Sequence, residues 1–161
     1  MATTDTAAQL LIVALQDLYD GKRDAAARLP RLGRKAGARR AAWLGEDAHD
    51  TEAQAERLGA LLDGVGAPRA KARNIWLRAI MKDARRDART IAGGPLRDVA
   101  LIGALRKGRQ ASRVSHETAL ALAQALGHAD AVAALEAMRD ADAAADGALA
   151  AMLADRVRAG R

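Results

Sequence analysis

The chain contains no cysteine and no phenylalanine, and Tyr19, Trp43 and Trp76 are its whole aromatic complement, 2% of the residues. Without cysteine there can be no disulfide scaffold, no Cys-ligated zinc or iron–sulfur site and no thiol nucleophile. So few rings leave nothing on which to stack the bases of a nucleic acid. No apolar run approaches the roughly 20 residues a membrane-spanning helix needs. The opening Met1-Ala2-Thr3-Thr4-Asp5 lacks the basic start of a secretory signal. No stretch alternates with period two, so no strand is expected. Together these absences predict a cytoplasmic protein with no membrane partner.

What remains is a helix former's composition. Half of the 161 residues are apolar, and roughly a quarter are alanine, the residue of highest helix propensity. That length is one domain's worth, and residues 1–161 are read as a single domain. Lys and Arg total 26 against 20 Asp and Glu, a net charge of +6. The excess is uneven. Residues 22–40 hold eight cations against Asp24 alone, and residues 69–89 hold eight against Asp83 and Asp87. Residues 46–56 hold five acids and no base. Charge runs of this kind are ordinarily solvated helix faces. A basic module for nucleic acid is a further alternative, resting on the two clusters alone.

Apolar spacing of three and four divides the chain into helices. The first covers about 4–28, with Leu11, Leu15, Leu18 and Lys22 on its seam, Thr4 or Asp5 as its cap, and an end or kink at Leu29-Pro30. Gly33 and Gly37 mark a turn. The second covers about 38–65, striped by Leu44, Thr51, Leu58, Leu62 and Val65. A shorter third, about 72–91, places Ile75, Trp76, Ile80 and Ala84 on one face. After Gly93-Gly94-Pro95 a fourth runs over about 96–126, with Val99, Ile102, Leu105, Arg109, Ser112, His116, Ala119 and Ala123 in line. The last runs over about 130–158, capped by Asp130, with Val132, Leu135, Met138, Asp142, Ala145, Leu149 and Met152 in line. The expected fold is therefore all-α, an antiparallel four-helix bundle. Its short extra helix falls in the connection between long helices two and three, where a ferritin-like bundle has its crossover.

Several short motifs, in order, carry a family resemblance. They are Leu15-Gln16-Asp17-Leu18-Tyr19-Asp20, then Leu29-Pro30-Arg31-Leu32, then Asp50-Thr51-x-x-Gln54-x-Glu56-Arg57-Leu58. Asp98-x-Ala100-Leu101-Ile102, Ala121-Leu122-Ala123-x-x-Leu126-Gly127 and Asp146-x-x-Leu149 follow. The set resembles the YciE/YciF-type ferritin-like proteins, small bacterial proteins linked to stress. The resemblance implies a bundle, a homodimer, and core carboxylates with a histidine able to hold a di-metal centre. Onto this sequence the family's ligand positions fall at Lys22, Asp47, Asp50, Arg109, Ser112, Asp142 and Asp146. An acid has become a cation at 22 and 109, and Ser112 has replaced another acid. Neither cation is an ordinary metal ligand, and each repels a dication. The expectation is a degenerate metal site with no cofactor, in which Lys22 and Arg109 pair with the leftover aspartates. The competing expectation is that both long stems reach the bundle edge.

The remaining candidates are weaker. His49 and Glu52 form a possible i, i+3 metal pair beside the family's ligand positions. His116 is a polar group inside or at the edge of the bundle, with a mononuclear site shared with Asp146 as its rival reading. His128 falls in a turn, and Ser112 and Ser115 have no Ser-His-acid arrangement around them. The resulting expectation leans away from an enzyme. It is a stress-related structural or interaction protein that self-associates through an apolar helix face with Trp43 or Trp76. The alternative is a metal-binding oxidoreductase or iron-handling protein. No substrate is named by the sequence.

Overall fold

The computed structural model describes residues 3–34, 38–69 and 73–159. They form five α-helices, with no strand among the described residues: α1 (Ala7–Gly33), α2 (Ala38–Gly64), α3 (Ile75–Thr90), α4 (Pro95–Ala125) and α5 (Ala129–Ala159). The expected Gly37 and the cations Lys35 and Lys71 lie outside the described residues. None of these helices is long and apolar enough to cross a membrane.

Local chemistry sets the ends. Thr6, not Thr4 or Asp5, caps α1, its hydroxyl accepting from the Gln9 amide at 3.2 Å. α1 also runs past Leu29-Pro30 to Gly33. The missing Pro30 N–H forfeits one bond in the last turns. Burial of Leu29 and Leu32 holds those turns in place, and the Arg34 amide closes the end on the Pro30 carbonyl. Pro95 opens α4 at its first position, where an amide donor has no partner to lose. α2 and α4 end alike. Gly66 and Gly127 take positive φ (67° and 73°), so that the Ala67 amide reaches the Leu62 carbonyl and the His128 amide the Ala123 carbonyl. α5 begins at Ala129, placing Asp130 within its first turn instead of at its cap.

α1 packs on α2 and α4 on α5, and the two pairs meet mainly through α1 and α4. α3 lies against α4 and α1. The core is in two parts. One cluster joins Leu11, Leu15 and Leu18 of α1 to Leu58 and Leu62 of α2, Ala119 and Ala123 of α4, and Leu135 and Met138 of α5. The other joins Leu29, Leu32, Leu44, Ala48, Leu101 and Ala104 to Leu77, Met81, Ala84 and Ala88 of α3. Residue numbers rise along α1 and fall along α2 and α4 between the same two clusters, so α1 is antiparallel to both.

Two expected seams shift. α3 buries Leu77, Met81, Ala84 and Ala88, whereas Ile75 is 82% exposed and Trp76 and Ile80 are only half-buried. At the end of α2, Val65 is exposed, and the stripe runs through Leu44, Ala48, Thr51, Ala55, Leu58 and Leu62. In α3 the cause is anchorage at its start. Asn74, fully buried, caps the helix by accepting from the Leu77 amide at 2.8 Å. Its own amide donates to Asp20 Oδ2, and the Trp76 indole donates to Asp17 Oδ2 at 3.0 Å. These contacts rotate α3 so that Leu77, not Ile75, meets the core.

Candidate functional site

Between the two apolar clusters lies one polar level, to which four helices contribute. Lys22 comes from α1, Asp47 and Thr51 from α2, Arg109, Ser112 and His116 from α4, and Asp142 from α5. The α4 residues are spaced by three and four, which stacks them on one helix face, and Asp47 and Thr51 stand one turn apart on theirs. All are buried. Asp142 and His116 are fully inaccessible, Lys22 is 4% exposed and Arg109 9%. The long cationic stems therefore point inward and do not reach the edge.

Asp142 is the hub. Lys22 Nζ donates to both its oxygens, at 2.8 and 2.7 Å. Arg109 Nη1 donates to Oδ1 and Ser112 Oγ to Oδ2, each at 2.6 Å. Arg109 turns its other nitrogen, Nη2, onto the Asp47 carboxylate, with Thr51 Oγ1 at 3.4 Å. The level thus holds two cations and two carboxylates, each cation bonded to at least one carboxylate. The His116 ring completes one side, its Nδ1 3.4 Å from Asp142 Oδ2 but not in hydrogen-bonding geometry.

The ionisation of these groups follows their neighbours. Burial pushes the Lys22 ammonium down to about 8, against the pull of Asp142, with the Arg109 charge adding to the fall. Burial would raise the Asp142 carboxyl, but the charges of Lys22 and Arg109 outweigh it and hold it far below the usual carboxylate range. Both values fall, but with opposite meaning: the charged form is disfavoured in Lys22, where burial outweighs its one close anion, and favoured in Asp142, which sits between two cations. Burial raises Asp47 and lowers His116, so the imidazole is neutral near pH 7. For Arg109, burial is outweighed by Asp47 and Asp142, and the guanidinium stays charged.

The other expected positions divide. Asp146, one turn beyond Asp142, faces a separate set of donors: Arg106 Nε at 2.8 Å and Nη2 at 3.2 Å, and Gln110 Nε2 at 2.8 Å. Asp50 points to solvent, outside the network, because it stands off the α2 stripe that carries Asp47 and Thr51. His49 and Glu52 are exposed too, and so is His128. Asp146 is bonded away from His116, so the two do not form a shared site. Among the described residues, no group of three or more His, Asp or Glu side chains is gathered as a metal site. A cavity of about 50 Å3 touches the network, with Lys22, Arg109 and Ser112 on its polar side and Leu29, Leu77 and Met81 among its apolar walls. That is room for a water or two.

A five-helix fold with a buried polar level carried on four of its helices has known counterparts. A family model described as a domain of unknown function, DUF892, matches residues 6–160. The chain belongs to the DUF892 family. Its fold is that of the Escherichia coli stress protein YciF, with a TM-score of 0.91 and 20% identity over 96% of this chain and 99% of that one. YcfI of Rhodopseudomonas palustris, proposed to be a structural protein, gives a TM-score of 0.85 and 25% identity over 90% of this chain and 93% of that one. No protein of curated function matches.

In this DUF892 chain the sequence reading did not anticipate Arg106 and Gln110 as partners of Asp146, nor the anchorage of α3 by Asp17, Asp20 and Asn74. The first had a visible signal. Arg106 precedes Arg109 by three residues and Gln110 by four, so all three share the side of α4 that meets α5. The second had none, since residues 17–20 and 74–76 meet only in three dimensions.

Proposed function

We propose that this protein is a ferritin-like antiparallel four-helix bundle of the YciE/YciF type, with α3 in the crossover, whose metal site has been replaced by an internal ion-pair network, and that its role is structural or interactive, not catalytic. The observation that carries this reading is the placement of Lys22 Nζ and the Arg109 guanidinium on Asp142, with Asp47 on the far side of Arg109. A dication about 4 Å from either cation would be repelled by about 8 kcal/mol at an effective dielectric of 20, twice the unit-charge value. The carboxylate oxygens it would need are already taken by protein donors. The donor set therefore does not fit a di-metal centre, and no chemistry is routed through one here.

The small volume next to the network supports the same reading, since it does not accommodate a substrate of ordinary size. The relatives' descriptions as a stress protein and a proposed structural protein agree with a stress-related role, and a cytoplasmic location belongs to the proposal. Self-association as a homodimer belongs to the proposal. Leu10 and Val13, exposed at 45% and 44% on one face of α1, offer apolar surface for it, while Trp43 and Trp76 are partly spent on the second core cluster. Light scattering gives the mass directly.

The test is metal content by mass spectrometry, after incubating the purified protein with iron, manganese and zinc and removing the excess. The reading expects substoichiometric metal. Tightly held stoichiometric metal that is lost in Asp142→Asn would overturn it and restore a metal-dependent oxidoreductase or iron-handling role.

A further inference from the structure

The two basic clusters, some fifty residues apart in sequence, converge. The last turns of α1 and the second half of α3 enclose a groove of about 390 Å3, lined by Arg28, Arg31, Arg34, Arg85 and Arg89 over a floor of Leu32, Met81 and Ala88. Among the described residues, no acidic side chain lines it. Arg28 is held by Asp24 at 2.6 Å. Among the described residues, the other four have no carboxylate within ion-pairing distance, although most other arginines of the chain do. Among the described residues, the one side-chain hydrogen bond made by these four is that of Arg89 Nε to the Arg85 carbonyl, at 3.2 Å.

The helix ends account for part of this. Arg31 and Arg89 lie in the last turns of α1 and α3, where the carbonyl end of each helix supplies about half a negative charge. Arg34, the C-cap residue of α1, stands at the same carbonyl end, so Arg85 alone has no such counterpart; about half a charge per helix end still leaves the groove a net positive charge of several units. Arginines three or four residues apart on one helix stand about one turn, or 5.4 Å, from each other. Two such ladders face each other across an apolar floor. Planar guanidinium forks bind phosphate oxygens two at a time.

We propose that this groove binds a small anion of two or three linked phosphate groups, whose charge of roughly −1 to −2 per group matches the uncompensated arginines. A nucleic acid strand fits less well. The groove has the volume of a small-molecule site, and among the described residues no ring lines it for stacking. The phosphates belong to a nucleotide or to an inorganic chain, and the groove chemistry is the same for both.

The experiment is calorimetric titration of the full chain with tripolyphosphate, with ATP, and with a single-stranded oligonucleotide, at about 50 mM salt to keep the electrostatics visible. Two double variants remove the same charge: Arg31→Gln with Arg85→Gln in the groove, and Arg57→Gln with Arg139→Gln outside it. All four side chains lie at the surface or half-exposed, and circular dichroism is used to check that each variant folds. Saturable binding of tripolyphosphate is expected, weakened at least about tenfold by the groove pair, the loss of one to two charge-assisted contacts, and little changed by the outside pair. Tighter binding of ATP assigns the site to nucleotides, and equal binding assigns it to the phosphate chain alone. No saturable binding, or equal weakening by both pairs, overturns the proposal. So does an oligonucleotide that binds more tightly than tripolyphosphate and weakens equally in both pairs, because binding then follows the overall charge of the chain.

Discussion

Asp142→Asn is the sharpest perturbation of the buried level, because it keeps the shape of the side chain and removes the charge that two cations share. Asp142 accepts four hydrogen bonds, two from Lys22 and one each from Arg109 and Ser112. In the variant Arg109 retains Asp47, but Lys22, 4% exposed, faces no carboxylate within bonding distance. Breaking a buried pair by removing one partner costs about 3–5 kcal/mol. For a chain of this length that is roughly 6–20 °C in Tm. The lysine's share has a ceiling. Its fall from 10.5 to about 8 already represents about 3 kcal/mol. Without Asp142 it falls further, and at pH 7 full deprotonation limits the total to about 5 kcal/mol.

Urea unfolding followed by circular dichroism measures the loss, and pH supplies a signature. The folded-state pKa of Lys22 lies below its unfolded value, so between about pH 8 and 10.5 the unfolded chain holds a proton that the folded chain has released. This group's contribution to stability therefore rises across that window. In Asp142→Asn the rise begins at lower pH, and in Lys22→Met it is absent. Adding Lys22→Met to Asp142→Asn removes the stranded cation and recovers up to about 2 kcal/mol as a coupling energy, the gap between that ceiling and the penalty already present. A loss below about 1 kcal/mol for Asp142→Asn, or no recovery in the double variant, refutes the view that these two charges compensate each other.

Asp50→Asn changes stability by less than about 0.5 kcal/mol in the same assay, because the residue is exposed and outside the network. Asn74→Ala costs about 2 kcal/mol in urea unfolding, since it removes the cap of α3 and the bond to the Asp17 carbonyl together. The Arg106 hydrogen bond holds the Asp146 carboxyl below its ordinary value. Its contribution is therefore present above the unfolded pKa near 3.8 and lost as pH falls below it. The urea midpoints of the wild type and Asp146→Asn converge on acidification, and a gap that stays constant from pH 6 to pH 3 contradicts the pairing.

The long helices were legible because their seams are periodic over many turns, and the positions of Lys22, Arg109, Ser112, His116 and Asp142 on those seams were enough to bring them together. Asp50 was misplaced for a related reason. It came in with the family motif that includes Thr51, but on α2 it stands one residue off the buried stripe, and a helix turns about 100° in that step. α3 was misread because its wide apolar face offers Ile75, Trp76 and Ile80 as readily as Leu77 and Met81. The choice between them belongs to Asp17, Asp20 and Asn74, which share no local pattern with α3. The phosphate-sized groove was invisible for the same reason, since each basic cluster alone reads as an ordinary solvated face.

Alanine-rich seams pose a problem of register that the charged level addresses. Sliding a helix by one turn exchanges one alanine for another in much of α4 and α5 at small cost. At the polar level the same slide is expensive. On α1 it brings Leu18 or Ala26 to the position of Lys22, on α4 Leu105 or Arg113 to that of Arg109, and on α5 Met138 or Asp146 to that of Asp142. Every alternative strands a buried charge or breaks the Arg106–Asp146 pair. The network thus favours one register without adding stability, since an apolar replacement of a buried ionic cluster is neutral or stabilising by about 1–4 kcal/mol. The combined variant Lys22→Met, Asp47→Leu, Arg109→Met and Asp142→Leu separates the two effects. It should unfold at equal or higher urea concentration, yet give a broadened or doubled amide NMR spectrum as helices sample neighbouring registers. A single sharp set of resonances with undiminished unfolding cooperativity would instead assign the register to the apolar clusters and leave the ion pairs as a tolerated burden.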